Sequence, residues 1–333
     1  MAEHRARDTH PSVRQPPPRK SAAGAPARVV IPTDARDVTL ELAGKAVKLS
    51  NLDKLYWKEE GITKRALLQY YADISPWLLP HICDRAMTMK RYPGGAAGPF
   101  FFMKRAPTPR PEWLETCAVS HPSGNVIDYP LIQDLASLLW CVNLGCIDLN
   151  PSYGKCGEID HPEVLHFDLD PGPGVSFEMI LDGALALHEA LDALHMPNQA
   201  KTTGSRGVHI YVPIEKGPDQ HQVWEFAKQF GLLMEKREPK LFTTIYKVAA
   251  RPHGRMLIDF NQNQWGRTLA SVYSVRPRPL APVSMPVNWD EIGRGLRIEQ
   301  FRLENAVERV REQGDLWRPI LDGKHRFKLE TFA

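Results

Sequence analysis

Hydrophobic residues recur at three- and four-residue intervals in four stretches of the chain, a spacing that gives a helix one apolar face. It predicts helices over residues 63–72 with Thr63 as cap, 134–144, 177–194 with Ser176 as cap, and 221–235. Three runs alternate instead, at 164–170, 208–214 and 256–260, which is the two-residue period of a strand. Strands interleaved with helices imply an α/β (α+β) fold, a mixed central sheet flanked by helices. Residues 1–28 hold five prolines and almost no large apolar group, so they read as a disordered basic tail, and 29–333 as one compact domain.

Composition narrows the picture modestly. Among the 333 residues, 43% are hydrophobic and 24% charged, ordinary for a globular protein. No apolar run approaches the roughly 20 residues that a membrane-spanning helix needs. Arg5, Arg7 and Arg14 near the start are followed by no apolar segment and no small-residue cleavage site. A cytoplasmic protein without a membrane partner is therefore expected. The net charge of +3 comes from the tail, which carries +4, so the body is nearly neutral and must bind any polyanion through local patches. Five cysteines, at 83, 117, 141, 146 and 156, make no C-x-x-C pair and read as reduced packing thiols, with zinc ligation by Cys141, Cys146 and Cys156 as the alternative.

The chemistry begins in Val164-Leu-His-Phe-Asp-Leu-Asp170. Alternation sends Leu165, Phe167 and Leu169 to one face and His166, Asp168 and Asp170 to the other. Pro171-Gly-Pro-Gly174 ends the strand there, which places the two carboxylates at its carboxyl end. Carboxylates this close repel each other unless a cation or a proton lies between them, and Mg²⁺ or Mn²⁺ suits such hard oxygen ligands. An Asp-x-Asp pair can also serve only to make a turn. Asp259 tips the balance, because it sits among apolar neighbours in Met256-Leu-Ile-Asp-Phe260, where an unpaired charge is costly.

Basic stretches surround these acids. From Arg85 to Arg110 there are six basic residues and no acid, interleaved with Tyr92, Phe100, Phe101 and Phe102, a mixture suited to phosphates and stacked bases. Strand alternation predicts that at least one of the three phenylalanines is core. Arg251, Arg255, Arg267, Arg276 and Arg278 face the single acid Asp259 within their stretch, which calls for an anionic partner such as a nucleoside triphosphate. Lys201-Thr-Thr-Gly-Ser-Arg-Gly-Val-His-Ile210 could cradle phosphate on backbone N–H groups, with Thr203, Ser205, Arg206 and His209 adding donors. It is not a P-loop, and no dinucleotide fingerprint follows a strand.

In order, Phe167-Asp-Leu-Asp-Pro-Gly172, Thr203-Gly-Ser-Arg-Gly-Val-His-Ile-Tyr-Val-Pro213, Ile258-Asp-Phe-Asn-Gln-Asn263 and Tyr273-Ser-Val-Arg-Pro-Arg-Pro279 resemble the polymerase domain of bacterial ligase D. That family belongs to the archaeo-eukaryotic primase superfamily and serves non-homologous end joining. The resemblance spans about residues 38–320. It implies that Asp168, Asp170 and Asp259 are catalytic ligands of two divalent ions, Mn or Mg. It further implies that Thr203, Ser205, Arg206, His209 and Arg276 bind nucleotide, with Thr203 and Arg206 where the family usually has Ser and Lys. Lys54 and Lys64, ten residues apart, match lysines that bind a DNA 5′-phosphate, and Arg91, Phe101 and Phe102 match template-binding residues. Asn150 stands where the family commonly places a histidine near the triphosphate.

The implied activity is template-dependent polymerisation of the primase-polymerase type at gaps or broken ends, with ribonucleotides favoured, in a bacterial, nucleoid-associated setting. No ligase Lys-x-Asp-Gly motif is present, so a stand-alone polymerase beside Ku and a separate DNA ligase is expected. A metal-dependent nuclease or phosphoesterase, or a non-catalytic DNA-end-binding module, are the competing readings.

Overall fold

The computed structural model describes residues 28–329. The expected tail lies outside them except for Arg28, which pairs with Asp73 at 2.6 Å. The described chain opens with two hairpins, β1 (Val38–Leu42) with β2 (Lys45–Leu49) and β3 (Leu55–Trp57) with β4 (Ile62–Thr63). Helix α1 (Lys64–Ile82) follows at once, its first turn capped by Thr63, whose Oγ1 accepts from the Ala66 N–H at 3.2 Å. The helix continues ten residues beyond the predicted end, through Pro76 and Pro80. Pro76 cannot donate to the Ala72 carbonyl, and the Ser75 hydroxyl donates to it instead, at 2.8 Å. Ile74, Leu78 and Ile82, all fully buried, hold this second half in the core.

Next come β5 (Met87–Arg91), β6 (Phe101–Met103), and a hairpin of β7 (Thr116–Ser120) with β8 (Val126–Pro130). Helix α2 (Leu135–Asn143), capped by Asp134, leads into β9 (Cys146–Pro151), and β6, β5 and β9 form a three-stranded sheet in that order. The rest of the chain builds a larger sheet: β10 (Val164–Asp170), α3 (Phe177–Ala193) capped by Ser176, β11 (Gln199–Thr202), β12 (Val208–Pro213), α4 (Gln220–Arg237), β13 (Phe242–Thr243), β14 (Met256–Asp259) and β15 (Pro286–Val287). Its strand order is β13-β14-β10-β12-β11-β15, antiparallel except for β13 and β14, so the sheet is mixed as expected. Two short helices, α5 (Trp289–Gly293) and α6 (Ala306–Gln313), follow β15.

Leu165, Phe167 and Leu169 of β10 are fully buried on the face covered by α3 and α4, with the Phe167 ring 5.0 Å from that of Phe230. On the other face, the His166 ring lies 4.3 Å from that of Tyr153, which follows β9. Tyr71 on α1 donates to the Ile147 carbonyl on β9 at 2.6 Å and accepts from the Val275 N–H at 3.0 Å, and Tyr70 donates to the Tyr273 carbonyl at 2.8 Å, which ties α1 to β9 and to the segment between β14 and β15. One hydrophobic cluster runs through the described chain, from Ile31 to Ile320.

The cysteine expectation needs correcting. Cys117 and Cys156 form a disulfide, joining β7 to the loop before β10, whereas Cys83, Cys141 and Cys146 are free. A separation of 39 residues carries no signal in the sequence; the pair meets because both residues pack on a small apolar cluster with Val119, Tyr129 and Trp265. The disulfide also removes Cys156 from any zinc set with Cys141 and Cys146. Among the described residues, no helix is long and apolar enough to cross a membrane.

Candidate active site

Three adjacent strands build the centre. On the antiparallel ladders β12–β10–β14, His209 lies opposite Asp168, and Asp168 lies opposite Asp259. Residues paired across neighbouring strands point to the same face, so register alone brings the three side chains into one row. Asp170 adds a fourth group two positions on. The carboxylate oxygens of Asp168, Asp170 and Asp259 lie within 4.8 Å of one another. The turn into β12 must come close for this to happen. A Cβ at Gly207 would stand 2.3 Å from the Leu169 carbonyl oxygen, between the two aspartates of β10, so this position tolerates only glycine.

Asp168 and Asp259 are buried and Asp170 is half-buried. Asp259 accepts from the Asn261 N–H at 3.0 Å and from Gln262 Nε2 at 2.9 Å. Asp168 Oδ1 is buried with no hydrogen-bond partner; His209 Nε2 stands 3.3 Å away, too poorly aligned to count as a bond. Among the described residues no lysine or arginine forms an ion pair with any of the three. Burial pushes each carboxyl up to about 6, and the charge of Asp168 adds to this for Asp170 and Asp259. Three clustered acids without a cation, one oxygen orphaned, fit a divalent-metal site.

The match of a family model settles the kinship: that of the LigD primase-polymerase domain matches residues 63–317. The chain belongs to the LigD primase-polymerase domain family. This places it among nucleotidyltransferases of the primase-polymerase type. It is 30% identical over 289 residues to the multifunctional non-homologous end joining protein LigD of Mycolicibacterium smegmatis, covering 86% of this chain and 38% of that protein. It is 28% identical to the bifunctional LigD of Bacillus subtilis, covering 80% of this chain and 43% of the relative. The chain thus spans about two-fifths of the length of these relatives. The polymerase domain of Mycobacterium tuberculosis ligase D, solved in complex with DNA, superposes with a TM-score of 0.77 at 28% identity, covering 82% of this chain and 97% of that one.

The remaining residues singled out by sequence form two groups. In the first, Thr203 is buried, and its Oγ1 accepts from the backbone N–H groups of Ser205, Arg206 and Gly207 at 3.0–3.1 Å. Those amides are therefore engaged within the loop and do not form the expected phosphate cradle; the Thr203 hydroxyl proton and the exposed Arg206 remain as donors. Arg276 donates to the Thr203 carbonyl at 2.6 Å. Gly204, at φ +63°, lets the loop pass there, since a Cβ would meet Arg276 Cγ at 2.7 Å. Asn150 is buried on β9 and turns its Nδ2 to the Asp148 carbonyl at 3.2 Å.

In the second group, the hairpin β3–β4 closes the ten-residue spacing of the lysines, and the Lys64 N–H donates to the Lys54 carbonyl at 2.8 Å. Lys64 is not an ordinary surface lysine. It is buried, its Nζ donates to the Ser50 carbonyl at 2.7 Å, and burial with the nearby charge of Lys54 lowers it to about 8. The Lys54 ammonium donates to the Pro93 carbonyl. Arg91 stacks over Phe101 at 5.2 Å. The expectation that one of Phe100, Phe101 and Phe102 is core fails, because all three are exposed, by 51%, 45% and 60%. β6 is an edge strand, and these rings lie over Lys90 and Arg91 instead of entering the apolar interior.

Sequence reading missed Asp148, Lys90 and Lys201. Asp148 is almost wholly buried on β9, 3.2 Å from Arg276 Nε and 3.7 Å from Lys90 Nζ, and Lys90 is itself caged by Tyr92, Phe100 and Phe102. Arg276 thus finds its acid outside its own stretch, which a count of neighbouring charges cannot foresee. An aspartate among the otherwise apolar residues of Cys146-Ile-Asp-Leu149 was the available signal.

Proposed function

We propose that this chain extends a DNA primer strand opposite a template, joining the primer 3′-hydroxyl to the α-phosphate of a nucleoside triphosphate with release of pyrophosphate, at gaps or broken ends. The observation that carries this is the register pairing Asp168 with Asp259, which with Asp170 gathers three carboxylates, two buried and one half-buried, with no ion pair to a lysine or arginine among the described residues. Asp168, Asp170 and Asp259 would hold divalent ions, Mg²⁺ or Mn²⁺, which when bound supply a Lewis acid for the phosphoryl oxygens and favour the ionised hydroxyl. The protein's own share is positioning. Arg276, fixed by Asp148 and the Thr203 carbonyl, faces the triphosphate with Arg206 and the Thr203 hydroxyl. Asn150, proposed to lie near the triphosphate, is a neutral amide and cannot contribute a positive charge.

Lys54 and Lys64 would receive the 5′-phosphate of the downstream strand, while Phe101 and Phe102 stack template bases beside Arg91. The Lys54→Ala variant is expected to lose preference for 5′-phosphorylated over unphosphorylated gaps, about tenfold or more for one charge-assisted bond. Retained discrimination, measured by titrating both gapped duplexes, would remove Lys54 from this role. Joint replacement of Phe101 and Phe102 by Ala should weaken single-stranded template binding by about 1–3 kcal/mol per stacked base. Unchanged binding by fluorescence anisotropy would show that these rings serve another partner.

End joining beside Ku and a DNA ligase, at the nucleoid, is the setting that the LigD relationship suggests, and ribonucleotides are the favoured substrate. Extension of a gapped, 5′-phosphorylated template with ribo- or deoxyribonucleotides and with Mg²⁺ or Mn²⁺ tests the whole reading. Primer shortening instead of extension would indicate a phosphoesterase, and binding without either reaction an end-binding module.

A further inference from the structure

The hairpin β7–β8 is held to the rest of the chain by a small core of its own and one covalent bond. Its strands form a separate two-stranded sheet, which a single bridge, Ala86 to Leu131, joins to the chain just ahead of β5. A hairpin of two strands has little stability in water until it packs on something. Here Cys117, Val119 and Tyr129 pack in a small buried cluster, with Cys156 and Trp265 at its margin, apart from the main hydrophobic core. The contact is incompletely filled. A cavity of about 40 Å³ lies between Val119 and Tyr129 of the hairpin and Trp265 and Arg267 opposite. The Cys117–Cys156 bond closes this contact across 39 residues of chain. A cross-link of that span removes entropy from the open state, which makes it the main hold on a hairpin with so small a core.

The two sulfurs differ in access: Cys117 is 1% exposed, whereas Cys156 is half-buried. The contact also leads toward the acidic triad, because Trp265 lies on the segment that follows Asp259. Its ring meets His121 of the hairpin turn edge-on at 5.0 Å, and its Nε1 donates to Asp160 Oδ1, on the loop that carries Cys156, at 2.6 Å. Between Asp259 and Trp265, Asn263 donates to the His166 carbonyl at 2.7 Å. The segment is thus fastened to β10 at one end and to the hairpin and the Cys156 loop at the other. We propose that Cys117 and Cys156 form a thiol–disulfide modification site, opened by a dithiol reductant at Cys156, that latches the hairpin and, through Trp265, the segment behind Asp259. In the first step a thiolate of the reductant bonds to Cys156 Sγ, the bond to Cys117 breaks, and its electron pair leaves on Cys117, which takes up a proton. The second thiolate of the reductant then displaces Cys156, which is also protonated, and the reductant departs as a cyclic disulfide, having given up two electrons and two protons. Cys117 leaves into apolar surroundings that disfavour a thiolate, so the exchange requires the hairpin to lift.

The test begins with alkylation, under denaturing conditions, of the full chain purified without reductant. Three of its five cysteines should be labelled, and all five after dithiothreitol. Five labelled without reductant overturns the proposal. Hydrogen exchange read by mass spectrometry then compares the oxidised and reduced chain with Cys156→Ser, which cannot form the bond and needs no reagent. On reduction, protection at residues 116–130 should fall about thirtyfold or more, the lower end of what a native cross-link contributes. Protection at 264–267 should fall with it, while α3 and β12 keep theirs, and reoxidation should restore both. Cys156→Ser should match the reduced wild type, and if it does not fold, the reduced wild type carries the comparison alone. Equal protection of the hairpin in both forms, a loss spread over the whole chain, or a hairpin that loosens while 264–267 does not, each overturns the latch. Its reach to the site rests on the assignment of Asp259 as a metal ligand. Mn²⁺ should bind Cys156→Ser about threefold or more weaker than the oxidised wild type, and equal affinities overturn that reach. Mn²⁺ binding by neither chain defeats the metal assignment instead, and the exchange pattern still decides the latch.

Discussion

Asp168→Asn and Asp170→Asn should each reduce nucleotide incorporation by more than about a thousandfold, roughly 4 kcal/mol of transition-state stabilisation. Affinity for gapped DNA in the absence of metal should stay within about threefold, because the DNA-facing residues are on other elements. Asparagine keeps the shape and one carbonyl oxygen of each side chain while removing the charge that holds a divalent ion, so the loss reports chemistry and not packing. Both residues sit at the carboxyl end of β10, whose apolar face is locked under α3 and α4, and neither amide should disturb that face. Lys54 immediately precedes β3, and Lys64, Arg91, Phe101 and Phe102 lie on α1, β5 and β6, on other elements than the triad. Single-turnover extension separates rate from binding, and near-normal rates in either variant would dismiss the metal assignment.

The second large effect couples stability to pH and metal. Each of the three carboxyls is raised to about 6 in the folded chain, against about 4 for an unfolded aspartate. Raised carboxyls mean that the folded state keeps protons that the unfolded state has released. Stability therefore falls as pH rises from about 4 to about 6 and levels off above. For a coupled triad the contribution is on the order of 3 kcal/mol, less than three independent sites would give, since they share one repulsion and Asp170 is partly solvated.

Other acids move the opposite way, Asp134, Glu291 and Asp315 being held low by their partners, so the measurement is a difference. Relative to Asp170→Asn, the metal-free wild type should lose Tm between pH 4 and pH 6. The variant should be the more stable of the two at pH 7.5. Mn²⁺ should reverse the order above pH 6, adding about 2.7 kcal/mol at a hundred times its Kd, and its affinity should weaken below pH 6 as protons compete. A wild type and variant with parallel pH profiles, and no shift with Mn²⁺, would mean that the triad neither repels nor binds as described.

The linear chain carried the fold class and the identity of the acids. Apolar spacing located α2, α3 and α4 to within a residue or two, and β10 to the residue, because each buries one continuous face, and a face imprints its period on the sequence. It ended α1 too early, since a proline inside an apolar pattern ordinarily stops a helix, and nothing local announces that Ser75 will take over the lost hydrogen bond. The aspartates were legible because charge in an apolar strand is rare enough to need a reason.

What only the tertiary structure decided is which distant groups meet. Strand order brings His209, Asp168 and Asp259 into one row, and that order depends on long-range pairings that local periodicity does not encode. Lys201 read as part of a loop and became a buried donor behind His209 only once β11 had joined β12. Asp148 found Arg276, and Cys117 found Cys156, across 128 and 39 residues respectively, and the exposed rings at 100–102 took a sheet edge where the alternation rule expected core. Sequence specifies residue chemistry and local period; partners are fixed by the packing of whole elements, which minimises the apolar surface exposed to water over the entire chain at once.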